Sequence, residues 1–587
     1  MRLHRLAHAR AGDKDTTSDI TVISYRAEDF ELLRREVTAE RVREHFADIV
    51  RGEVRRYELP QLHALKFVLH NTLGGVTRTL DLDIHGKSLS SSLLELEVST
   101  TDESQRAMAE MMRQFAELGG MRPGEPTVTV DDPFFGYDRP AEFGVRTETI
   151  QVPVRDGSHL VCDLIRPDGD GTFPGIVYDF NGYGARAVFA GGATHFVERG
   201  YVVLVPSVRG SGGSPGTIEP FGVQEQEDGY DLVEWLAAQP FCTGMIGMQG
   251  VSYGGHSTLL TAVNRPPHLE AIIPVQAISD WYENTIYHGG IYNARIRDWQ
   301  GSTAPATLET YAQHPLYDDF WRERSLKHRY DKLTLPVLDV GGWLDQYRQA
   351  MVENFVAGEG NIWMVAGPWA HGMMPGQAED IAAAGYLAWW DHWLAGRPAP
   401  LPRSKVTSYE MPSHGWRHFD TWPPADSVTT QWIPVADGTL QTAAAEPGTA
   451  EFEQDGGRLV FTTRLAKDLV VVGGLEMSLR AGVTGEDGNI AVVLDDVDEN
   501  GETTRISQGW LKLSHRDGHD RLAPVAPGTL YDITVPIWAA HHRVVAGHTL
   551  RLTLSSEDHP QIDTERLPGR IRVEFGPATV VTARTLR

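Results

Sequence analysis

Cysteine is almost absent from this chain, in which Cys162 and Cys242 are the only two among 587 residues. Two thiols are too few for a disulfide framework or a multi-thiolate zinc site, and such a low count is typical of a reducing compartment. Basic residues are also scarce, since 53 lysines and arginines against 79 aspartates and glutamates give a formal net charge of -26. Because nucleic acids and anionic membranes bind basic surfaces, this balance argues against both as the main partner.

Long hydrophobic runs are missing as well. No segment approaches the roughly 18 consecutive apolar residues of a transmembrane helix, and the basic N-terminal sequence MRLHRLAHARAGDKD is not followed by the apolar core of a secretory signal. We therefore predict a cytoplasmic protein without a membrane partner. The composition, 41% hydrophobic and 22% charged, is that of a folded chain. Its length exceeds what one hydrophobic core holds, so several domains are expected.

The pentapeptide GVSYG at Gly250–Gly254 is the most informative motif that is present. It is a G-x-S-x-G sequence between an apolar run and a run of helix formers, the pattern of a nucleophile elbow, in which a sharp strand-to-helix turn exposes a serine hydroxyl. The strained turn leaves no room for side chains beside the serine, which explains the glycines. The motif predicts Ser252 as a catalytic nucleophile. Because so short a pattern also occurs by chance, the prediction depends on the rest of the chain.

Two downstream loops contain the acid and the base that a serine nucleophile requires. The apolar run LPVLDVGG is followed by Asp345, and the apolar run IWMVAG is followed by His371. In parallel α/β sheets the active residues collect beyond the carboxyl ends of strands, and α/β-hydrolases carry their triad in the chain order serine, acid, histidine. The sequence therefore predicts a triad of Ser252, Asp345 and His371.

Other residues compete for these roles. Asp339 lies inside the apolar run before Asp345, where a strand would bury it, so we favour Asp345 as the acid. His256 follows the nucleophile by four residues and is expected on the same helix, facing its packing environment. His288, His314 and His328 lie between the nucleophile and the acid, where they are candidates to line a pocket, and none of them follows the acid. His371 is preferred as the base because it follows the acid in the chain.

The pattern of predicted helices and strands divides the chain into four segments. Residues 1–98 combine strand-like runs with an amphipathic helix that begins after Thr38, which indicates a small α+β domain. Residues 99–140 contain a helix and a Pro/Gly/Asp-rich stretch typical of an interdomain linker. Strands alternate with helices in 141–398, which predicts a parallel sheet covered on both faces. In 399–587 helical periodicity disappears, and β-rich runs separated by Gly, Asp and Pro predict a β-sandwich of jelly-roll type.

Several smaller features have structural explanations. Asp156–Gly157 predicts a hairpin between two β-rich runs. The glycine-rich loop VPSVRGSGGSPG lacks the lysine and serine or threonine that end a phosphate-binding loop, so we interpret it as structural. Asp496–Gly501 begins like a calcium loop, but the twelfth position is Ser507 instead of glutamate, which favours a hairpin turn. A strand is predicted over Thr77–Gly86, and an apolar helical stripe over Met108–Phe115.

The motifs together resemble the X-Pro dipeptidyl-peptidase and cocaine-esterase-like hydrolase family. The resemblance rests on the phrases EDGYDLVEWLAAQPFCTGMIGMQGVSYGG, GGWLDQY and VAGPWAHG, and further on YDDFWRERS, YEMPSHGWRHFDTWPP and GHTLRLTLSSEDHP. It covers about residues 145–587. It implies an α/β-hydrolase domain, a helical cap inserted at about 280–330, and a C-terminal β jelly roll.

The same resemblance implies roles for individual residues. Ser252 is the nucleophile, Asp345 orients the histidine, and His371 is general base and then general acid. The oxyanion hole pairs the Tyr253 N–H with the hydroxyl of Tyr183, where the family's usual Arg-x-Pro-Tyr is replaced by FNGY. No metal and no organic cofactor are implied.

The expected cap is rich in aromatic residues, which suits an apolar lid over a substrate pocket. Trp281 in the cap and Trp343 and Trp369 in the two motif loops are the predicted pocket residues. Ordinary packing is an equally simple explanation for any one of these aromatics.

The first 90 residues resemble the ferredoxin-like domain of AtuA-like proteins, through LAHARAGDKD, RYELPQLHALKFVL and GGVTRTLDLDIHGKSL. This resemblance implies no catalytic residue. We predict a serine hydrolase that cleaves a small-molecule ester or amide, or a peptide, through an acyl-enzyme. A carboxylesterase is favoured because the sequence identifies no acidic pocket for a substrate amine. The alternatives are an X-Pro dipeptidyl-peptidase or α-amino-acid ester hydrolase, and a non-catalytic binding or assembly protein that uses the N-terminal domain.

Overall fold

The computed structural model describes residues 3–14, 16–72, 89–94, 96, 130–184, 186–358, 360–371, 379–443, 446–559, 561–562 and 567–586. The chain divides into two compact units, Met1–Arg106 and Ala107–Arg587. The strand predicted over 77–86 and the helical stripe predicted over 108–115 lie outside the described residues.

The first unit is an α+β fold on an antiparallel sheet. Its described elements are β1 Ala7–Lys14, β2 Thr17–Ser24, α1 Phe30–Glu36, α2 Ala39–His45, β3 Val54–Leu59, β4 Ala64–Leu69 and α3 Leu89–Leu93. The strands pair in the order β1-β2-β4-β3. Burial alternates along β2, so one face of the sheet packs on the helices. Thr38 caps α2 as predicted, because its Oγ1 accepts a hydrogen bond from the Arg41 N–H at 3.3 Å.

The second unit begins with a large, mostly parallel sheet. Its described strands are β5 Gly144–Pro153, β6 His159–Asp168, β7 Phe173–Tyr178, β8 Val202–Pro206, β9 Cys242–Val251, β10 Leu269–Val275, β13 Val337–Gly342, β14 Ile362–Gly367, β15 Val406–Tyr409 and β16 Trp416–Phe419. They are arranged in the order β16-β15-β14-β13-β10-β9-β7-β8-β6-β5. The seven strands from β15 to β8 run parallel, and β5, β6 and β16 are antiparallel additions.

Helices cover both faces of this sheet. They are α4 Arg186–Val197, α5 Val223–Ala237, α6 Tyr253–Val263, α10 Arg348–Ala357 and α11 Glu379–Trp393. Every residue of β8, the apolar run VVLVP, is buried. Its two faces pack against different helices, since Leu204 belongs to the cluster that contains α5 and α6, whereas Val203 belongs to the cluster that contains α4 and α11. A strand buried on both sides is apolar throughout, which is why its sequence shows no alternation.

The insertion between β10 and β13 corresponds to the cap. It contains β11 Tyr287–His288, β12 Ile291–Tyr292, α7 Ala294–Thr303, α8 Thr307–Ala312 and α9 Asp319–Arg322. Aromatic residues supply much of its core, and Trp321 is fully buried against the rings of Tyr282 and Tyr311.

The C-terminal part is a β-sandwich. Its described strands are β17 Val428–Pro434, β18 Leu440–Gln441, β19 Gly448–Glu453, β20 Arg458–Arg464, β21 Leu469–Val483, β22 Asn489–Val497, β23 Thr503–Lys512, β24 Tyr531–Val544, β25 Thr549–Ser555, β26 Arg570–Phe575 and β27 Val580–Leu586. One sheet has the order β18-β17-β27-β21-β26-β19 with β24 beside β21, and the other has the order β20-β25-β22-β23. Both contribute to one hydrophobic cluster, so the sheets face each other as predicted.

The sheet pairing differs from the predicted segment limits at one place. Strands β15 and β16 lie beyond residue 398, yet β15 pairs with β14 and extends the parallel sheet. The sandwich strands begin with β17. Helical periodicity ends at about residue 400. The strands that follow have the same sequence pattern whether they extend the catalytic sheet or belong to the sandwich, so the sequence alone does not mark the boundary between the two.

The smaller structural predictions agree with the fold. The hairpin at Asp156–Gly157 joins β5 and β6, and the segment Asp496–Gly501 joins β22 to β23. Arg209 of the glycine-rich loop pairs with Asp156 at 2.8 Å and with Asp228 at 2.5 Å, which fits a structural role. None of the described helices is both long and apolar enough to cross a membrane.

Candidate active site

The nucleophile elbow lies between β9 and α6, where Ser252 connects the end of the strand directly to the first turn of the helix. Ser252 has φ 59° and ψ −114°, a strained conformation for a residue with a side chain. The backbone has room for this turn only because its neighbours are glycines. A Cβ on Gly250 would overlap the backbone of Gly254, and a Cβ on Gly254 would overlap the carboxylate of Asp179.

The parallel sheet brings three loops together. Val251, Val275, Val340 and Val365 are aligned across β9, β10, β13 and β14. Because parallel strands end at the same edge, the residues that follow these positions meet there.

Ser252, His371 and Asp345 form a hydrogen-bonded series at this edge. His371 Nε2 lies 2.8 Å from Ser252 Oγ, and His371 Nδ1 lies 3.0 Å from Asp345 Oδ1. Asp345 Oδ1 also accepts a hydrogen bond from the Tyr347 N–H at 2.9 Å. With the imidazole proton on Nδ1 facing the carboxylate, Nε2 can accept the serine proton.

The ring of Tyr347 restrains the imidazole further. It stands edge-on to the His371 ring, with 4.9 Å between the ring centroids. Tyr347 was not predicted as a site residue, although it follows Asp345 by two residues. A tyrosine in a loop carries no sequence signal that it packs against a histidine 24 positions later.

Asp339, the competing acid, has a different environment. It is fully buried inside β13, and its Oδ2 accepts a hydrogen bond from Asn354 Nδ2 at 3.0 Å. Burial raises the pKa of its carboxyl to about 8. A carboxyl that is largely protonated near neutral pH and bonded to α10 is poorly suited to stabilise an imidazolium.

The competing histidines have structural contacts. His256 lies on α6 as expected, with Nδ1 2.5 Å from the Ile278 carbonyl oxygen and Nε2 2.9 Å from that of Arg324. Burial lowers the pKa of His256 to about 4, and the two carbonyl oxygens that face its ring nitrogens oppose this effect. The ring connects α6 to the cap segment. His288 packs against Trp510 and Trp538, His314 stacks on Phe320, and His328 packs against Tyr317.

Tyr183 lies in the loop after β7 and faces the nucleophile. Its backbone N–H donates to Asn181 Oδ1 at 2.9 Å, and its ring meets the Tyr253 ring edge-on at 5.9 Å. Burial raises the pKa of the Tyr183 hydroxyl to about 12, and hydrogen bonding with Trp299 and Ser252 opposes this effect. The hydroxyl therefore keeps its proton and lies beside Ser252. The Tyr253 N–H, as the first of α6, has no partner four residues earlier within the helix.

Trp281 and Trp299 extend this environment into the cap. Trp281 contacts Phe221 at 4.7 Å and Trp299 at 5.8 Å between ring centroids. Trp299 in turn lies 6.3 Å from Tyr253. Of these two cap rings only that of Trp299 is partly exposed, because Trp281 is as deeply buried as a packing residue and its indole N–H donates to the Tyr311 hydroxyl at 2.9 Å. Trp281 therefore packs the cap, in contrast to its predicted pocket role, and Trp299, which was not among the predicted pocket residues, is the cap ring next to the elbow. Its position on α7 becomes informative only when the cap is folded over the sheet.

Trp343 and Trp369, the other predicted pocket residues, lie in packing clusters. The Trp343 indole N–H donates to Ser408 Oγ at 3.1 Å, and its ring stacks on Trp422 at 5.5 Å. Trp369 contacts Trp416 at 5.8 Å and is almost fully buried. Both motif loops therefore use their tryptophans to fix the loop against neighbouring elements, in contrast to the pocket role that we expected.

Two buried acids that were not predicted as site residues lie below the elbow. Asp179 Oδ1 accepts a hydrogen bond from the Val251 N–H at 3.2 Å, and burial raises its pKa to about 7. Glu225 on α5 accepts hydrogen bonds from the Tyr253 hydroxyl at 2.6 Å and from Ser257 Oγ at 3.2 Å, and burial raises its pKa to about 8. Both carboxyls are committed to holding the elbow and the start of α6.

No group of three or more His, Cys, Asp or Glu side chains suited to a metal ion is found in the part of the chain that the structure describes. This edge of the sheet holds a serine hydroxyl bonded to a histidine, next to hydrogen-bond donors. Acyl transfer requires these groups.

Family models match three parts of the chain. Residues 156–304 and 292–373 match the X-Pro dipeptidyl-peptidase (S15) family. Residues 401–583 match the X-Pro dipeptidyl-peptidase C-terminal non-catalytic domain, and residues 1–99 match the AtuA ferredoxin-like domain.

Individual proteins are similar over much of the chain. Cocaine esterase from Rhodococcus sp. (strain MB1 Bresler) is 25% identical over 532 residues, which cover 72% of this chain and 92% of that protein. A putative Xaa-Pro dipeptidyl-peptidase from Bacillus anthracis is 21% identical over 466 residues, covering 69% and 76%. The crystal structure of a CocE/NonD family hydrolase from Staphylococcus aureus superimposes with a TM-score of 0.68 at 20% identity, covering 79% of this chain and 100% of that one. An α-amino acid ester hydrolase has the same fold, with a TM-score of 0.65 at 18% identity, covering 79% and 99%.

Proposed function

This chain belongs to the X-Pro dipeptidyl-peptidase (S15) family of serine hydrolases, and we propose that Ser252, His371 and Asp345 are its catalytic triad. The observation that carries the proposal is the continuous hydrogen-bonded series from the Ser252 hydroxyl through His371 to Asp345. The strained backbone of Ser252 supports it, because strain of this kind is retained where function requires it.

The proposed reaction passes through an acyl-enzyme. His371 Nε2 removes the hydroxyl proton as Ser252 Oγ attacks the substrate carbonyl, and Asp345 stabilises the imidazolium that forms. The Tyr253 N–H and the Tyr183 hydroxyl hold the oxyanion. His371 then gives its proton to the leaving group, and in the second half it activates the water that releases the acid product.

Within the family we propose that the substrate is a carboxylic ester with an apolar acyl or alkyl group. The ring of Trp299, which is only partly buried and lies 6.3 Å from that of Tyr253, supports an apolar substrate. The acids next to the elbow, Asp179 and Glu225, are buried, have raised pKa values and are bonded to the protein. Such carboxyls are poor partners for the free amine that a dipeptidyl-peptidase substrate carries.

A fluorophosphonate probe tests the triad directly, because it reacts with an activated serine whatever the natural substrate. We expect wild-type protein to be labelled and Ser252→Ala to remain unlabelled with the same thermal unfolding midpoint. A well-folded wild type that resists labelling would contradict the proposal and favour a binding or assembly role.

Substrate panels then separate the enzymatic alternatives. Hydrolysis of p-nitrophenyl esters without cleavage of X-Pro anilides is the expected result. Faster turnover of X-Pro anilides, or of esters that carry a free α-amine, would overturn the carboxylesterase assignment and leave the triad intact.

We further propose a cytoplasmic location and small-molecule or peptide substrates. Cys162 and Cys242 are both buried thiols that form no disulfide, which fits a reducing compartment.

A further inference from the structure

Arg348 is a buried arginine at the junction between the catalytic sheet and the β-sandwich. It begins α10, immediately after the loop that carries Asp345, and only 6% of its surface is exposed. Its guanidinium lies 5.5 Å from the ring of Trp538 on β24. A charged side chain in such a position is expensive to desolvate, so its presence calls for a specific set of partners.

The partners of Arg348 belong to both sides of the junction. On the catalytic side, Nη1 donates to the carbonyl oxygen of Trp343 at 2.8 Å. On the sandwich side, the guanidinium donates to three consecutive residues of β23 at 3.3, 3.3 and 3.1 Å, which are Ile506 (carbonyl), Ser507 (Oγ) and Gln508 (Oε1). One planar group therefore connects the β13–α10 loop to a strand of the C-terminal domain.

All these acceptors are uncharged. Among the described residues no carboxylate lies within ion-pair distance of Arg348. Burial lowers its pKa to about 9, as does repulsion from Arg505, while attraction to Asp345 raises it. The guanidinium remains a cation at neutral pH, and the negative charge of Asp345 favours this charged form.

The loop between Arg348 and Trp343 contains Asp345. The Arg348 N–H donates to the Asp345 carbonyl oxygen at 3.3 Å, so the arginine holds this loop by its main chain as well as by its side chain. Asp345 Oδ2 has no hydrogen-bond partner among the described residues, and its Oδ1 bonds to Tyr347 and His371. One of the two bonds that hold this carboxylate comes from the Tyr347 N–H of the same loop, so its direction depends on how the loop is held.

Further contacts attach the start of α10 and the beginning of the same loop to the sandwich. Gln349 Oε1 accepts a hydrogen bond from the Ala539 N–H of β24 at 2.9 Å. Ser408 Oγ, the acceptor of the Trp343 indole, lies 2.8 Å from His541 Nδ1 on the same strand. The loop that carries the acid is thus fixed at its beginning and at its end by β23 and β24.

We propose that Arg348 is a positioning residue through which the C-terminal β domain orients the acid of the triad. The guanidinium clamps the Trp343–Asp345 loop onto β23, through the Trp343 carbonyl oxygen on one side and Ile506–Gln508 on the other. The C-terminal domain then takes part in activating Ser252 without contributing a group that touches the substrate. This inference rests on the proposed role of Asp345.

The test compares the rate at which a fluorophosphonate labels Ser252 in the full-length protein and its variants. Arg348→Met removes the positive charge and the hydrogen-bond donors and leaves a side chain of similar volume. Arg348→Lys keeps the positive charge but lacks the planar, two-armed guanidinium. The double variant Ser507→Ala/Gln508→Ala removes two acceptors from the sandwich side alone. Arg551→Met is the matched control, because Arg551 pairs with Asp495 within the sandwich.

We expect Arg348→Met to label on the order of 10²-fold more slowly, since small displacements of a catalytic group cost about that much. Arg348→Lys should recover part of the rate, and the double variant should be slowed about tenfold on the same scale. With an ester substrate the loss should fall on kcat and leave KM within about twofold, because Arg348 does not touch the substrate. The acidic limb of kcat/KM should move to higher pH in Arg348→Met, because a nearby positive charge has been removed.

The control should label at the wild-type rate. The inference would be overturned if the Arg348→Met and double variants fold and label at the wild-type rate, and if the acidic limb of the kcat/KM profile stays at the wild-type pH. If Arg348→Met does not fold, the double variant and Arg348→Lys decide by the same criterion. A wild type that is not labelled would instead refute the proposed triad, so the two failures are distinguishable.

Discussion

Two aspartates six positions apart show at the residue scale how environment selects a catalytic acid. Asp339 is inside β13, where burial raises its pKa to about 8 and Asn354 is its hydrogen-bond donor. Asp345 is in the loop beyond the strand, 3.0 Å from His371 Nδ1. The same side chain is thus a neutral structural group at one position and the partner of the histidine at the other.

Exchange of each aspartate for asparagine tests this difference. Asp345→Asn should lower kcat on the order of 10³–10⁴-fold, because it favours the wrong imidazole tautomer. Asp339→Asn should keep kcat within about threefold, because an amide can still accept from Asn354. Equal losses in the two variants would contradict the assignment of the acid.

Asp339→Asn should also change how stability depends on pH. The folded-state pKa of Asp339, about 8, lies above its ordinary value of 3.8. The folded state therefore holds a proton that the unfolded chain releases, and stability falls as pH rises from about 4 towards 8. Urea unfolding at several pH values should give a flatter decline for the variant than for the wild type.

The nucleophile elbow is the functional unit at the scale of elements. Strand β9 ends at Val251 and α6 begins at Tyr253, so one residue carries the whole change of direction. Asp179 lies beneath the turn, bonded to the Val251 N–H and in contact with the position where Gly254 lacks a side chain. The geometry of Ser252 depends on this fit between two strand ends.

Gly254→Ala should damage the elbow. A methyl group there would overlap the Asp179 carboxylate, and overpacking of this kind costs about 1–3 kcal/mol of unfolding free energy. We expect a lower unfolding midpoint together with a loss of kcat, measured by thermal unfolding and ester hydrolysis.

Gly191→Ala is the matched control, since Gly191 lies on α4 with open space around its missing side chain. An alanine in that position should leave activity unchanged and stabilise the helix by about 0.5–1 kcal/mol. Equal activity in the two alanine variants would show that the elbow tolerates a side chain.

Each of the two compact units has a hydrophobic core of its own at the scale of the whole molecule. The core of the first unit is formed by residues 3–96, and those of the second by residues from 134 onward. The second unit contains Ser252, Asp345 and His371. Catalysis is therefore expected to be a property of the second unit alone.

Deletion of residues 1–106 tests this expectation. The truncated chain should fold and should react with a fluorophosphonate within about twofold of the full-length rate, because no residue of the proposed triad is removed. A folded truncation that loses labelling would show that the ferredoxin-like domain supports the active site. A normal rate would leave that domain available for a separate binding role.

Local patterns were sufficient to predict much of this molecule. The G-x-S-x-G sequence, the apolar runs before Asp345 and His371 and the order of the three residues depend on short stretches of chain, and the structure brings these residues together. The contact of Trp299 with Tyr253 and the pairing of β15 with the catalytic sheet were not predicted. For Trp343 and Trp369 the sequence left a pocket role and ordinary packing open, and both residues pack.

Short stretches of chain specify the chemistry at Ser252, because a nucleophile elbow and strand-end loops depend on neighbouring residues. The tertiary structure alone decided what surrounds that chemistry. Trp299 reaches the elbow only because the cap folds over the sheet, and Arg348 meets Ile506–Gln508 only because the β-sandwich docks beside the Asp345 loop. Burial and electrostatic interaction depend on distances between residues that lie from tens to more than a hundred positions apart in the chain, and no local pattern encodes those distances.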